Sequence, residues 1–226
     1  MPANVQQKWT SSVGGTTNTL NFTSDVTVGN IIALAIHANS TPTVTLDTVV
    51  DNLGNSYVFA GDATSGGDGL GQMWNYYAVV TVGGACTITA TFSASKSYGR
   101  IFAHEISGVD LTSPLDQHAG LYQSNAGTGT DAVTSTAQTT VYDGEYIFGC
   151  TEIVNSLTIT AGTNFTELLD QTTGSSEYYI QPTAGSIAAT FTESAGFARN
   201  NTVMMTFKPS GTPITGLGRK FMLRAQ

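Results

Sequence analysis

Apolar and polar residues alternate with a period of two along most of this chain, in short runs separated by glycine, asparagine, aspartate and proline. That pattern predicts half-buried strands joined by turns. Its clearest instance is Thr43 to Ala60, TVTLDTVVDNLGNSYVFA. Val44, Leu46, Thr48 and Val50 alternate before Asp51-Asn52-Leu53-Gly54-Asn55, and Tyr57 and Phe59 alternate after it. Asn, Asp and Gly tolerate positive φ or bond their own backbone, so the expectation is a strand, a turn and a second strand, a hairpin-like unit.

The same grammar predicts strands at Thr19 to Phe22, Ile31 to His37, Met73 to Val80, Cys86 to Phe92, Arg100 to Ile106 and Gln117 to Tyr122. Between them lie the Gly29-Asn30 and Gly83-Gly84 turns and a Gly-rich loop, Asp62 to Gly71. No stretch carries a capped 3.6-residue period, so helix is expected to be nearly absent. The order then recurs. TVGNIIALAIHA is echoed by TVYDGEYIFGCTEI, and TVTLDTVVDNLGNSYVFAGD by SLTITAGTNFTELLDQT. MWNYYAVVTVGGACTITATF is echoed by SEYYIQPTAGSIAATF, and GRIFAHEISG by NTVMMTFKPSG, with Phe92 and Phe191 ending the same Thr-rich run. The reading is an all-β, antiparallel β-sandwich of jelly-roll or immunoglobulin-like type, built from two diverged repeats, about 20–118 and 135–210. Residues 1–15 read as a polar N-terminal arm, 16–210 as the sandwich, and 211–226 as a basic C-terminal arm.

Composition narrows the function. Only 11% of the 226 residues are charged, against about 25% in an ordinary soluble domain. The formal charge is −8. Arg219, Lys220 and Arg224 are three of the eight basic residues, which leaves the rest of the chain at −11, five cations against sixteen carboxylates. Such a body argues against nucleic-acid binding, which needs clustered Lys and Arg. A basic, partly apolar tail on an acidic body suggests docking, with Arg219, Lys220, Phe221 and Arg224 as an assembly arm. The first residues, MPANVQQKWTSSVGG, lack a basic stretch followed by an apolar run, and Ile31 to Ile36 is far short of a membrane span, so neither a secretory signal nor a membrane anchor is read here. Cys86 and Cys150 are expected as buried free thiols rather than a disulfide.

Candidate chemistry is sparse. Glycoside hydrolysis needs two carboxyls about 5 to 9.5 Å apart, and Asp51, Asp62, Asp68, Glu105, Glu152 and Glu177 offer no motif for such a pair. His104 and Glu105 are adjacent on a strand and point to opposite faces. His37, His104 and His118 are isolated, without zinc spacing. Calcium is the one ion left open, with Asp51, Asp62 and Asp68 as its ligands. No G-x-S-x-G and no phosphate loop occurs. Trp74, Tyr76, Tyr77, Tyr178 and Tyr179 occupy matching runs, and exposed aromatics on a sheet stack on sugar rings. Trp74, Tyr76 and Tyr178 are the candidates for glycan stacking, weighed against a place in the core.

The succession VTVGNIIALAI, VVDNLGNSYVFAGD, MWNYYAVVTVGGACTITATF, RIFAHEISGVDLTSPLDQHAG resembles a repeat of many bacterial surface and phage virion-associated proteins. Its D-N-x-G-N-x-Y turn, aromatic strand, Gly-Gly turn with the Thr-rich strand GGACTITATF, and E-x-S-G-V…P-L-D end carry the likeness. The resemblance implies an immunoglobulin-like or jelly-roll sandwich and no catalytic residues. The second copy lacks the turn's Asp and Gly. The resulting expectation is a non-enzymatic virion structural protein of a tailed phage, a capsid decoration or outer head or tail component, whose partners are other virion subunits or copies of itself. The alternatives are a carbohydrate-binding adhesion module that meets a host-surface glycan and, behind it, a polysaccharide-cleaving enzyme.

Overall fold

The computed structural model describes residues 1–64, 71–124, 133–153, 158–171, 173–194 and 199–211. In the first half these form β1 (Ala3–Val13), β2 (Thr17–Asn21), β3 (Ile31–Asn39), β4 (Leu46–Asp51), β5 (Tyr57–Thr64), β6 (Gln72–Val79), β7 (Thr87–Phe92) and β8 (Tyr98–Ser107). The second half contains β9 (Leu115–Ser124), β10 (Val133–Thr134), β11 (Gln138–Thr139), β12 (Glu145–Ile153), β13 (Ile159–Ala161), β14 (Thr166–Gln171), β15 (Gly174–Gln181), β16 (Ser186–Ile187), β17 (Thr190–Glu193) and β18 (Arg199–Phe207). Every ladder is antiparallel, and no helix occurs among the described residues. The protein is an all-β antiparallel sandwich.

Two five-stranded sheets form its centre, ordered β1-β8-β3-β6-β5 and β14-β15-β12-β18-β9. They face each other, with β3 against β12, β6 against β18, β5 against β9 and β1 against β14. An outer sheet β2-β7-β4 covers the first, and the small sheets β10-β17-β13 and β11-β16 cover the second. Read from β9, the second central sheet runs β9-β18-β12-β15-β14, the same succession as β1-β8-β3-β6-β5. The four pairs of similar stretches fall on strands at corresponding positions of that order.

This layering produces three apolar cores. Leu20, Ile32, Leu34, Ile36, Ile88 and Phe92 fill the first outer layer, and Ile147, Ile153, Phe191 and Met204 the second. Ile31, Ala33, Phe102, Phe148, Val203, Met205 and Phe207 fill the layer between the central sheets. Each large apolar side chain so buried contributes about 1.5–3 kcal/mol. Because both central sheets are covered on both faces, β3 and β12 are buried along nearly their whole length. Outer strands such as β2 and β7 keep the period-two alternation.

Three expectations change. Residues 1–15 do not form an arm: Ala3–Val13 is β1, laddered to β8 from Ala3↔Ser107 to Val13↔Tyr98. Its polar side chains hid a strand that is held by backbone hydrogen bonds. The run Gln117 to Tyr122 belongs to the second half, because β9 pairs with β18. The division between halves therefore falls between Ser107 and Leu115, ahead of residue 135. Finally, β4 and β5 do not pair with each other. β4 is laddered to β7 in the outer sheet and β5 to β6 in the central one, so Asp51 to Asn55 is a corner between sheets rather than a hairpin turn.

Candidate functional site

β5 and β9 are the edge strands of the two facing central sheets. Stacked sheets normally lie about 10 Å apart, but here Gly120 lets the backbones of β9 and β5 meet and Gly61 lets the His118 ring lie against β5. A Cβ on Gly120 would sit 2.6 Å from the Asp62 carbonyl carbon and 2.9 Å from the Ala63 nitrogen. A Cβ on Gly61 would sit 2.9 Å from Cε1 of His118. Over this pinched floor opens a crevice of about 540 Å³, lined by Phe59 to Asp62, His118 to Gly120, Thr136 and Gln138. The first half supplies one wall and the second half the other. Asp62, His118 and Thr136 are exposed, and Gln138 is half-buried. Thr136 Oγ1 donates to the Gly120 carbonyl at 3.2 Å, tying the wall to β9. Phe59 is 51% exposed, and its ring lies 5.4 Å from that of Tyr76. The lining contains one carboxylate and no Lys or Arg among the described residues.

The aromatics singled out from the sequence do not converge. Trp74 is buried in the first outer core against Phe92, with ring centroids 6.0 Å apart. Tyr178 lies between the central sheets, stacked on Tyr146 at 5.2 Å and 10°. Tyr76 is half-buried and reaches the surface only behind Phe59. Trp74 is taken up by the outer core and Tyr178, half-buried, is stacked on Tyr146 between the central sheets, so for both the structure shows the place in the core that was weighed against glycan stacking. Among the described residues Phe59 is the exposed aromatic, and in sequence it is only one more alternating residue.

The proposed calcium ligands also part. Asp51 Oδ1 accepts the backbone N–H groups of Leu53 and Asn55, both at 3.0 Å, and Oδ2 accepts Asn55 Nδ2 at 2.9 Å and the Tyr57 hydroxyl at 3.1 Å. Asn55 Oδ1 in turn accepts the N–H groups of Thr81 and Val82. The D-N-x-G-N-x-Y pattern is therefore a corner brace. Burial, with Asp51 adding to it, pushes the Tyr57 hydroxyl and the Cys86 thiol up, the latter to about 12. Asp62 lies in the crevice, and Asp68 lies outside the described residues, as does the arm of Arg219, Lys220, Phe221 and Arg224. Among the described residues no cluster of three or more His, Cys, Asp or Glu is placed to hold a metal. Cys86 and Cys150 are free and buried.

The remaining ionisable candidates serve the packing. Arg100 of the first half donates to Glu152 of the second at 3.0 Å and to Thr173 Oγ1 at 2.8 Å, with the ring of Trp9 5.6 Å away. His37 Nδ1 is 3.9 Å from Glu152. Burial raises the Glu152 carboxyl to about 8 against the pull of Arg100. His104 faces the central layer, bonded to the Tyr146 hydroxyl at 3.0 Å and Ser176 Oγ at 2.9 Å, and burial lowers it to about 3. Glu105 faces the other way, accepting the Thr27 N–H at 2.8 Å and Asn30 Nδ2 at 2.6 Å. Glu177 accepts the N–H groups of Gly162 at 2.9 Å and Thr190 at 3.1 Å, and burial raises it to about 8. These groups tie strands and sheets to one another, whereas in the crevice residues of both halves line a common space. No protein-family model matches the chain, and neither a curated protein nor a solved structure matches it.

Proposed function

We propose that the chain is a non-enzymatic structural protein of a tailed-phage virion, a capsid decoration or another outer head or tail component. The observation that carries this reading is the pair of halves with one strand order, joined through a fully buried central layer. That order fits two jelly rolls descended from one duplicated ancestor, and jelly rolls recur in virus shells as well as in lectins and cupins. Fold-level likeness supports a role without assigning chemistry. The layering favours a rigid block that contributes surface, and the acidic body suits the basic tail of a neighbouring subunit, with Arg219, Lys220, Phe221 and Arg224 as its grip. The test is mass spectrometry of purified particles. The expected result is this chain at a fixed copy number, and release from the particle when residues 212–226 are deleted. Particles without the chain, from cells that make it, overturn the reading.

A further inference from the structure

We propose that in the free chain the C-terminal segment, residues 212–226, lies back on an apolar patch of Val28, Val82 and Leu111 at the end of the molecule from which it emerges. The three side chains are 62%, 48% and 44% exposed. Apolar residues exposed singly are ordinary, whereas adjoining ones mark a surface that something covers. Here they adjoin. A Cβ on Gly83 would sit 3.3 Å from Val28 Cγ2, which places Val28 over the turn that follows Val82. A Cβ on Gly29 would sit 3.9 Å from Leu111 Cδ1, which places Leu111 beside the residue that follows Val28.

The course of the chain names the occupant. Val109 and Pro209 form an antiparallel bridge, the Ser210 N–H donates to the Gly108 carbonyl at 2.8 Å, and the described residues end at the exposed Gly211. Leu111 lies two residues beyond one side of that bridge and Gly211 two residues beyond the other, so the exit is within about 20 Å of Leu111. The fifteen residues that follow span up to about 50 Å when extended, enough to return to the patch. Their chemistry fits it. Leu217, Met222 and Leu223 supply apolar surface, and Arg219, Lys220 and Arg224 supply charge. Asp25 stands three residues before Val28, and Asp110 is next to Leu111, where its Oδ1 accepts the N–H groups of Thr112 at 2.8 Å and Ser113 at 3.3 Å. Lys208, the cation nearest in sequence to the exit, is turned to Ser113 Oγ and the Tyr142 ring. A segment tethered to the body it covers meets the patch at an effective concentration of about a millimolar, which a second copy reaches only in concentrated solution.

The test uses the full chain and trypsin, which cuts after Arg219, Lys220 and Arg224, with the free peptide 212–226 as reference and mass spectrometry as readout. Cleavage follows the fraction of time a segment is released from the body. It is expected to be at least about tenfold slower in the chain than in the peptide, and equally so at about 1 μM and about 100 μM protein. Val28→Ser and Leu111→Ser, both at exposed positions, are each expected to cut this protection about threefold and together to abolish it. Val13→Ser, at an apolar residue 85% exposed at the opposite end of β1, leaves it unaltered. Leu217→Ser with Leu223→Ser, measured against a peptide carrying the same changes, alters the segment alone and keeps the test open if a body variant disturbs its turn. It too is expected to abolish the protection. Cleavage as fast as in the peptide overturns the proposal. So does protection that fades on dilution, which assigns the patch to a second copy, or protection that neither the body variants nor the segment variant weakens. In the virion reading the same segment leaves this seat to grip a neighbour, so protection in the free chain and release of the chain from particles fail separately.

Discussion

Asp51→Ala removes the acceptor on which the corner between β4 and β5 is built. In the structure its two oxygens take four hydrogen bonds at 2.9–3.1 Å, two from backbone N–H groups and one each from Asn55 and Tyr57. Hydrogen bonds to a charged partner contribute about 1.5–3 kcal/mol each. The four share one side chain, water reaches part of the corner, and their sum would overshoot. The decisive loss is the acceptor of the Tyr57 hydroxyl and of the two backbone N–H groups, whereas the Asn55 amide still donates to the Val82 carbonyl at 3.2 Å. We expect about 3–4 kcal/mol, which for a chain of this size lowers Tm by roughly 6–16 °C. Asp51→Asn keeps one acceptor and is expected to lose about half as much. Urea unfolding followed by tryptophan fluorescence gives the energy, and scanning fluorimetry gives Tm. A loss under about 2 °C for Asp51→Ala refutes the brace. The same scan with calcium chloride separates a brace from an ion site, because a ligand bound only by the native state raises Tm. A corner whose carboxylate oxygens are already occupied shows no rise.

Other consequences follow from burial. Gly120→Ala places a methyl group against the Asp62 backbone and parts β9 from β5. It is expected to cost about 1–3 kcal/mol by thermal or urea unfolding, while Gly185→Ala, whose added carbon meets nothing closer than 3.9 Å, stays within about 0.5 kcal/mol. Glu152 and Glu177 are raised to about 8 by burial, so the folded protein holds protons there that the unfolded chain has released. The stability they contribute is fully present below the unfolded carboxyl range and is lost as pH rises through about 8. His104, lowered to about 3, acts oppositely and only below its ordinary value near 6.5, so Tm is expected to rise from pH 9 to pH 6.5 and a flat profile there would sink this account. Arg100→Met leaves Glu152 without its cation and is expected to cost about 3–5 kcal/mol at pH 9. The loss should be smaller at pH 6, where Glu152 neutralises itself by protonation, and an equal loss at both values would show the pair to be irrelevant.

Much of this fold could be read from alternation because β2 and β7 each have one wet face and one dry face. The four similar pairs of stretches fall on strands at corresponding places in the two sets of sheets. His104 and Glu105 separate to opposite faces as adjacency on a strand requires, and the hydrogen bonds of each confirm it. β1 was illegible because its sequence, ANVQQKWTSSV, carries little apolar periodicity and its partner is β8, about a hundred residues away. The sheet change at Asp51 to Asn55 was illegible for a different reason. Two alternating runs around a turn look the same locally whether they pair with each other or with β7 and β6. For Trp74 alternation gives the face of the side chain but not what covers that face, and the structure covers it with the core that was weighed against glycan stacking. The crevice depends on Gly61 meeting His118 and Gly120 meeting Asp62 across two sheets, an encounter that no local pattern encodes.

Among the described residues both faces of the central sheets are covered, which leaves edges, corners and outer sheets to meet solvent. The central layer is uneven along its length. At one end sit Arg100, Glu152, His37 and Asn201, and at the other Tyr77, Phe207, Tyr146 and Tyr178. An apolar layer alone would let the sheets slide, since hydrophobic contact is non-directional. A buried hydrogen-bonded pair such as Arg100 and Glu152, with the carboxyl ionised above about 8 and protonated below, contributes little net stability but penalises every register that separates its partners. The Arg100–Glu152 pair therefore acts as a register pin, and Gly174 makes room for it: a Cβ there would clash with both the guanidinium and the carboxylate. The pin and the glycine contacts at Gly61 and Gly120 hold the rims of the two sheets in fixed relation. The crevice opens where Gly61 packs against the His118 ring and Gly120 against the Asp62 backbone, so its geometry is a consequence of how the halves are locked together.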